Sequence, residues 1–134
     1  RYGAKACTDV TGFGLLGPLV EMHRPSGVDA VLELSAIPVL PGAEETAAAG
    51  ILSSLQPANI RLRRGIRDQA RWVDHPRYPL IFDPQTAGGL LASVPADQAE
   101  ACVAELRSLG YPLTSIIGEV TEQGEAIEPI SLRD

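Results

Sequence analysis

Aromatic side chains are scarce in this sequence, 4% of 134 residues, so any core must be assembled from Leu, Ile, Val and Ala. Cysteine is almost missing. Cys7 and Cys102 do not make a disulfide framework and read as two small apolar residues of a reduced, cytosolic chain. Histidine is as rare. His23 and His75 lie far apart without Cys or carboxylate at ligand spacing, which reads as surface or capping residues rather than metal ligands. Positive charge is outnumbered: 11 Lys and Arg face 17 Asp and Glu, a net charge of −6. That balance argues against a nucleic-acid surface, which needs clustered basic residues to displace counterions. It leaves a nucleotide open, because backbone amides and a metal ion can hold phosphates. No run approaches the ~18 apolar residues of a membrane span, and no signal peptide, internal repeat or low-complexity stretch is visible.

What is present is enough for one domain. Hydrophobic residues make up 45% of the chain, which suits a single core over 1–134. Leu15 to Arg24 carries its apolar residues mostly on one helical face, with Pro18 acceptable only in the first turn. Val28 to Leu34 alternates as a strand does, and Ala43 to Ala49 reads as a short helix capped by Gly50. Ile51 to Arg71 has no clear period. It holds Arg61, Arg63, Arg64 and Arg67, a basic cluster that reads as a solvated face. Pro76 to Thr86 has the composition of a turn. Gly88 to Val94 is a strand, Asp97 to Leu109 a helix ended by Gly110, Leu113 to Val120 a strand, Glu122 to Gly124 a turn and Ala126 to Ile130 a closing strand. The order predicts a layered α/β (α+β) domain with a mixed sheet covered by helices.

Two glycine-rich stretches carry the chemistry. The first, Ala6 to Gly17 (ACTDVTGFGLLG), spaces Gly12, Gly14 and Gly17 as a dinucleotide fingerprint would, and Glu33 lies where a ribose-binding acid belongs. Two features argue against that reading. The residues before Gly12 are polar at Thr8, Asp9 and Thr11 instead of a continuous apolar strand. A carboxylate at Asp9 would also repel the pyrophosphate unless a cation lay between them. Mg²⁺ takes such hard oxygen ligands together with phosphates, so Asp9 before a glycine turn and a helix start reads as a metal–phosphate corner. Spacing alone leaves a second possibility open, that Asp9 or Thr11 only caps the helix. The second stretch, Phe82 to Gly89 (FDPQTAGG), places Gly88 and Gly89 before a strand, as a close backbone approach or a tight turn requires. Two such turns, each with Asp and Thr nearby, point to a shared anion-binding edge.

TDVTGFGLLG together with DPQTAGGLL closely resembles the carboxy-terminal half of the selenophosphate synthetase (selenide, water dikinase) family, within the aminoimidazole ribonucleotide synthetase superfamily. The resemblance covers nearly the whole chain and is weakest over Ile51 to His75. It implies an α/β domain, like the carboxy-terminal domain of aminoimidazole ribonucleotide synthetase, packed on an amino-terminal ATP-binding domain in a homodimer. The implied reaction converts ATP, selenide and water to selenophosphate, AMP and phosphate. The resemblance puts a Mg²⁺ ligand on Asp9, and Thr8, Thr11, Gly12 and Gly14 in the loop facing the phosphates of ATP, with Gly88 and Gly89 in the second motif. Pro18 stands where family members often have His, and Ala87 where they have Ser. The nucleophilic Cys or selenocysteine and its Lys partner belong to the amino-terminal half, and Cys7 is not that nucleophile. The chain opens on Arg1 rather than Met and is expected to be part of a longer cytoplasmic protein, inactive by itself. Competing readings are another enzyme of the superfamily, of the purine-synthesis or hydrogenase-maturation kind, and a non-catalytic nucleotide- or partner-binding module.

Overall fold

The computed structural model describes residues 1–134. In chain order its regular elements are β1 (Ala6–Asp9), α1 (Leu16–His23), β2 (Val28–Glu33), α2 (Ala43–Ala48), α3 (Gln56–Asn59), β3 (Leu90–Ser93), α4 (Ala96–Ser108), β4 (Gly118–Glu122) and β5 (Ile130–Arg133), joined by several 3-10 turns. The strands form two sheets. One is the antiparallel pair β1–β3; the other runs β4-β2-β5, antiparallel on the β4 side and parallel on the β5 side. The second is the mixed sheet that the order of elements predicts.

β2 is central, paired with a strand on each side, and its inward apolar positions are buried. Ala30 and Leu32 are buried, and Leu34 continues the row just beyond it. They meet Leu16 and Leu19 of α1, Ile130 and Leu132 of β5, and Ile81 and Phe82 of the 3-10 turn Pro79–Phe82. Phe82 and Leu16 are fully buried. Truncating a buried Phe costs about 3–5 kcal/mol, so this proline-rich turn is a core element rather than a surface connection. Tyr78 stacks edge-on against Phe82, ring centres 5.2 Å apart.

Two arginines tie the connections down. Arg67 donates to Asp29 of β2 and, through Nε, to the carbonyl of Glu128 at 2.6 Å, while the Gly124 N–H donates to the same Asp29 carboxylate at 2.9 Å. Asp29 is 3% exposed, and these donors hold its carboxyl below the usual carboxylate range, the Gly124 N–H most. Arg77 pairs with Glu44 of α2 at 2.6 Å and donates to the carbonyls of Leu34, Ser35 and Ile37 at 2.5–3.2 Å.

The boundaries differ from expectation at three places, each for a local reason. β1 is a strand despite its polar residues, because Ala6 and Thr8 turn inward while Cys7 and Asp9 face out. β5 starts at Ile130 rather than Ala126. Pro129 has no N–H to give the ladder, although its carbonyl accepts from Ala30 N–H at 2.8 Å, and Ile127 is 94% exposed. β4 starts at Gly118 because the chain from Tyr111 first makes a turn, closed by Thr114 N–H on the Tyr111 carbonyl at 3.1 Å.

Candidate functional site

The β1–β3 pairing brings the two glycine stretches together. Its register sets Asp9 opposite Leu90 and Thr8 opposite Leu91. Beyond the ladder, Val10 N–H donates to the Gly89 carbonyl at 2.9 Å, and Gln85 N–H donates to the Thr11 carbonyl at 3.1 Å. Gly88 lies so close to Val10 that a Cβ there would overlap the Val10 carbonyl oxygen. Only glycine allows this approach. A Cβ at Gly12 or Gly89 would meet nothing within 4 Å, so both border open space.

The first loop is a tight turn running into α1. Gly14 N–H donates to the Thr11 carbonyl at 3.0 Å, and Leu15 N–H to the Ile81 carbonyl at 3.0 Å. Gly14 has φ +65°, and a Cβ there would stand 2.8 Å from the Ile81 oxygen, so both its backbone angle and its neighbours demand glycine. Pro18 falls in the first turn of α1, where its missing N–H costs little.

Asp9 does not cap α1, and neither does Thr11. The residue at the cap position is Leu15, without a side-chain cap bond, and backbone carbonyls satisfy the nearby amides. The Asp9 side chain is exposed at the end of β1 and enters no ion pair or hydrogen bond within the chain. Thr8 donates through Oγ1 to the Asp9 carbonyl at 3.3 Å. Asp83, within the second stretch, accepts from Gln85 Nε2 at 3.1 Å.

The dinucleotide reading fails on topology. Its first strand should be central in a parallel sheet, but β1 belongs to a two-stranded antiparallel pair. Glu33, the would-be ribose acid, lies on the other sheet and pairs with Arg133 at 3.2 Å.

Two residues that sequence reasoning missed hold the loop and the Pro79–Phe82 turn in place. Asn59 is 4% exposed, and its Nδ2 donates both to the Gly12 carbonyl at 2.9 Å and to the Phe82 carbonyl at 3.1 Å. Gln56, 1% exposed, donates to the Pro79 carbonyl at 2.7 Å. Nothing local in the sequence marks either residue, because their partners are backbone carbonyls far along the chain.

As a metal donor set, the chain offers a single carboxylate at the loop; no group of three His, Cys, Asp or Glu side chains stands close enough to enclose an ion. One carboxylate suits Mg²⁺, which binds through one or two carboxylates plus substrate phosphates and water. Asp9 therefore fits a site completed by other molecules rather than a cage built by this chain. No helix is long and apolar enough to cross a membrane.

Residues 1–128 match the family model described as AIR synthase related protein, C-terminal domain. Among curated proteins, the chain is 39% identical over 122 residues to a selenide, water dikinase of Pelobacter propionicus, covering 91% of this chain and 35% of that protein. It is 37% identical over 140 residues to the selenide, water dikinase of Treponema denticola, covering 98% of this chain and 38% of that one. With the Salmonella typhi protein of the same name it shares 43% over 121 residues, covering 90% and 33%. The chain thus spans about a third of the length of these relatives. Among solved structures, it superposes on a hydrogenase maturation protein, HypE, with a TM-score of 0.65 at 21% identity, over 96% of this chain and 33% of that one. That likeness concerns the fold.

Proposed function

The chain belongs to the family of AIR synthase related protein C-terminal domains, and from that premise we propose that it serves as the carboxy-terminal domain of a selenophosphate synthetase. The observation that carries this reading is its similarity, along nine-tenths of its length or more, to proteins named selenide, water dikinase. The site's geometry is compatible with it. In the proposed reaction ATP, selenide and water give selenophosphate, AMP and phosphate, with the nucleophile and its Lys supplied by an amino-terminal ATP-binding domain of the same protein.

Phosphoryl transfer asks a protein mainly for positioning and neutralisation of charge. The loop from Thr11 to Gly14 and the Gly88–Gly89 corner give a rigid edge with open space over Gly12 and Gly89, where phosphate oxygens approach the backbone without meeting a side chain. Asp9, next to that edge and without an internal partner, would hold Mg²⁺ against the phosphates, and Thr8 and Thr11 flank it. The ion, when bound, supplies neutralisation of the charge on the transferring phosphoryl group. The chain's own part is to orient: Asn59 fixes Gly12, and the β1–β3 register fixes Asp9.

The test is selenide-dependent formation of AMP from ATP by the natural polypeptide that contains this chain. Turnover that needs selenide, Mg²⁺ and this domain agrees with the proposal. ATP consumption indifferent to selenide, with no selenophosphate in the ⁷⁷Se and ³¹P spectra, overturns it.

A further inference from the structure

The 3-10 turn Ile60–Gly65 carries Arg61, Arg63 and Arg64, all exposed. Elsewhere Arg1, Arg67, Arg77 and Arg133 are ion-paired with carboxylates, but none of these three is. An acidic chain of net charge −6 thus leaves three adjacent guanidiniums without a counter-charge. Like charges held together on a fixed backbone repel, and the simplest relief is an anion.

The backbone under them is fixed at both ends. Just before the turn, Asn59 donates to the carbonyls of Gly12 and Phe82. Just after it, Ile66 is 2% exposed and bridges to Ile130, and Arg67 N–H donates to the Ile130 carbonyl at 2.8 Å. In the middle, Leu62 packs against α1 beside Gly17. A 3-10 turn has three residues per turn, so Arg61 and Arg64 share a face, separate from that of Leu62. The same Asn59 that opens this turn is bonded to Gly12, so the arginines start two residues beyond a contact with the glycine loop.

We propose that Arg61 and Arg64 form a ledge beside the Gly12 loop that binds a phosphate oxyanion, either free orthophosphate or the terminal phosphate of a nucleotide. Guanidinium forks present paired N–H donors that match the oxygens of a tetrahedral oxyanion, and the acidic remainder of the surface directs anions to this one basic site. The proposal takes its location from the functional reading above, but oxyanion binding here needs neither Asp9 nor selenium chemistry.

The experiment titrates orthophosphate, tripolyphosphate and ATP, each without divalent cations, into the natural polypeptide that contains this chain, and into Arg61→Ala/Arg64→Ala, Arg61→Lys/Arg64→Lys and Arg24→Ala variants. Calorimetry reads affinity, and the near-ultraviolet dichroism of Trp72 checks the fold. The expected result is a loss of about tenfold or more in tripolyphosphate affinity for the Ala pair, an intermediate loss for the Lys pair, and no change for Arg24→Ala. Measurable orthophosphate binding would assign the ledge to free phosphate; binding of ATP and tripolyphosphate alone would assign it to the nucleotide chain. Equal affinity in the wild type and the Ala pair overturns the proposal. So does a poly-glutamate peptide that binds the ledge more tightly than tripolyphosphate, since the ledge would then be a protein-docking surface. If the Ala pair fails to fold, an unchanged affinity in the Lys pair is the overturning result. Arginine-dependent oxyanion binding in a protein without selenide-dependent turnover would sink the selenophosphate reading and leave the ledge standing.

Discussion

At the residue scale, Asp9 and Gly88 separate chemistry from architecture. Asp9→Asn keeps shape and removes charge. Because the Asp9 carboxylate makes no bond within the chain, its thermal midpoint should stay within about a degree of wild type, as surface changes usually do. If it holds Mg²⁺ at the phosphates, AMP formation by the natural polypeptide should fall about a hundredfold, roughly 3 kcal/mol of transition-state stabilisation. Equal rates across a Mg²⁺ series would remove Asp9 from the site. Gly88→Ala should do the reverse. Its methyl would overlap the Val10 carbonyl, so β1 and β3 must part, at a cost of about 3 kcal/mol. A drop in melting temperature on the order of 10 °C measures this, and an unshifted midpoint would show that the two glycine stretches do not touch. Asp9 stands out in the sequence because a carboxylate just before a glycine-rich turn is chemically odd and demands a reason. Asn59 was not, because its partners are backbone carbonyls 47 and 23 residues away in sequence, Gly12 and Phe82, and nothing local announces them.

At the scale of elements, periodic segments were readable and irregular ones were not. α1, β2, α2 and α4 lie within a residue or two of the sequence expectation; α1, β2 and α4 carry apolar periodicity, and the three helices end on stop signals: Pro25 and Gly27 after α1, Gly50 with φ +74° after α2, Gly110 with φ +99° after α4. The stretch Ile51 to Arg71 defied reading because it consists of short turns whose stability is tertiary, supplied by Gln56, Asn59 and Arg67. Pro76 to Thr86 read as a turn, and it is one, but it also delivers Ile81 and Phe82 to the centre of the core. Arg77 is the fastening of this region, joining the end of β2 to α2. Arg77→Ala should cost about 2 kcal/mol, the size of charge-assisted bonds to backbone carbonyls, seen as a lower urea midpoint at unchanged slope. Arg77→Lys should recover less than half of it, because one ammonium cannot span three carbonyls and Glu44 in this geometry. Full recovery by Lys would reduce the interaction to simple charge.

For the molecule as a whole, acid should act in two stages. His23 is 3% exposed, and burial, the largest influence, lowers its pKa below the ordinary value of about 6.5. The unfolded chain therefore takes up a proton near pH 6.5 that the folded chain refuses, and stability, level above that pH, declines below it. Asp29 acts in the same direction at lower pH, here because its charged form is the one held in the fold. Its pKa is lowered by the Gly124 N–H and by Arg67, so its contribution is complete above about pH 4 and is lost as pH falls through its folded value. Urea midpoints between pH 8 and pH 3 should show a gentle decline starting near 6.5, abolished in His23→Gln, and a steeper one below 4, abolished in Asp29→Asn. A flat profile in the wild type down to pH 4 would refute the buried, neutral His23. Lastly, Asn59 spends one amide group on two carbonyls, Gly12 in the glycine loop and Phe82 in the core. Mechanically this is a shared pin between the loop and the hydrophobic centre. A nucleotide bound at Gly12, as proposed above, would meet a surface already set by these two bonds. On that reading, closure around the ligand would come from whatever approaches this domain from outside, as a hammer moves on a stationary anvil.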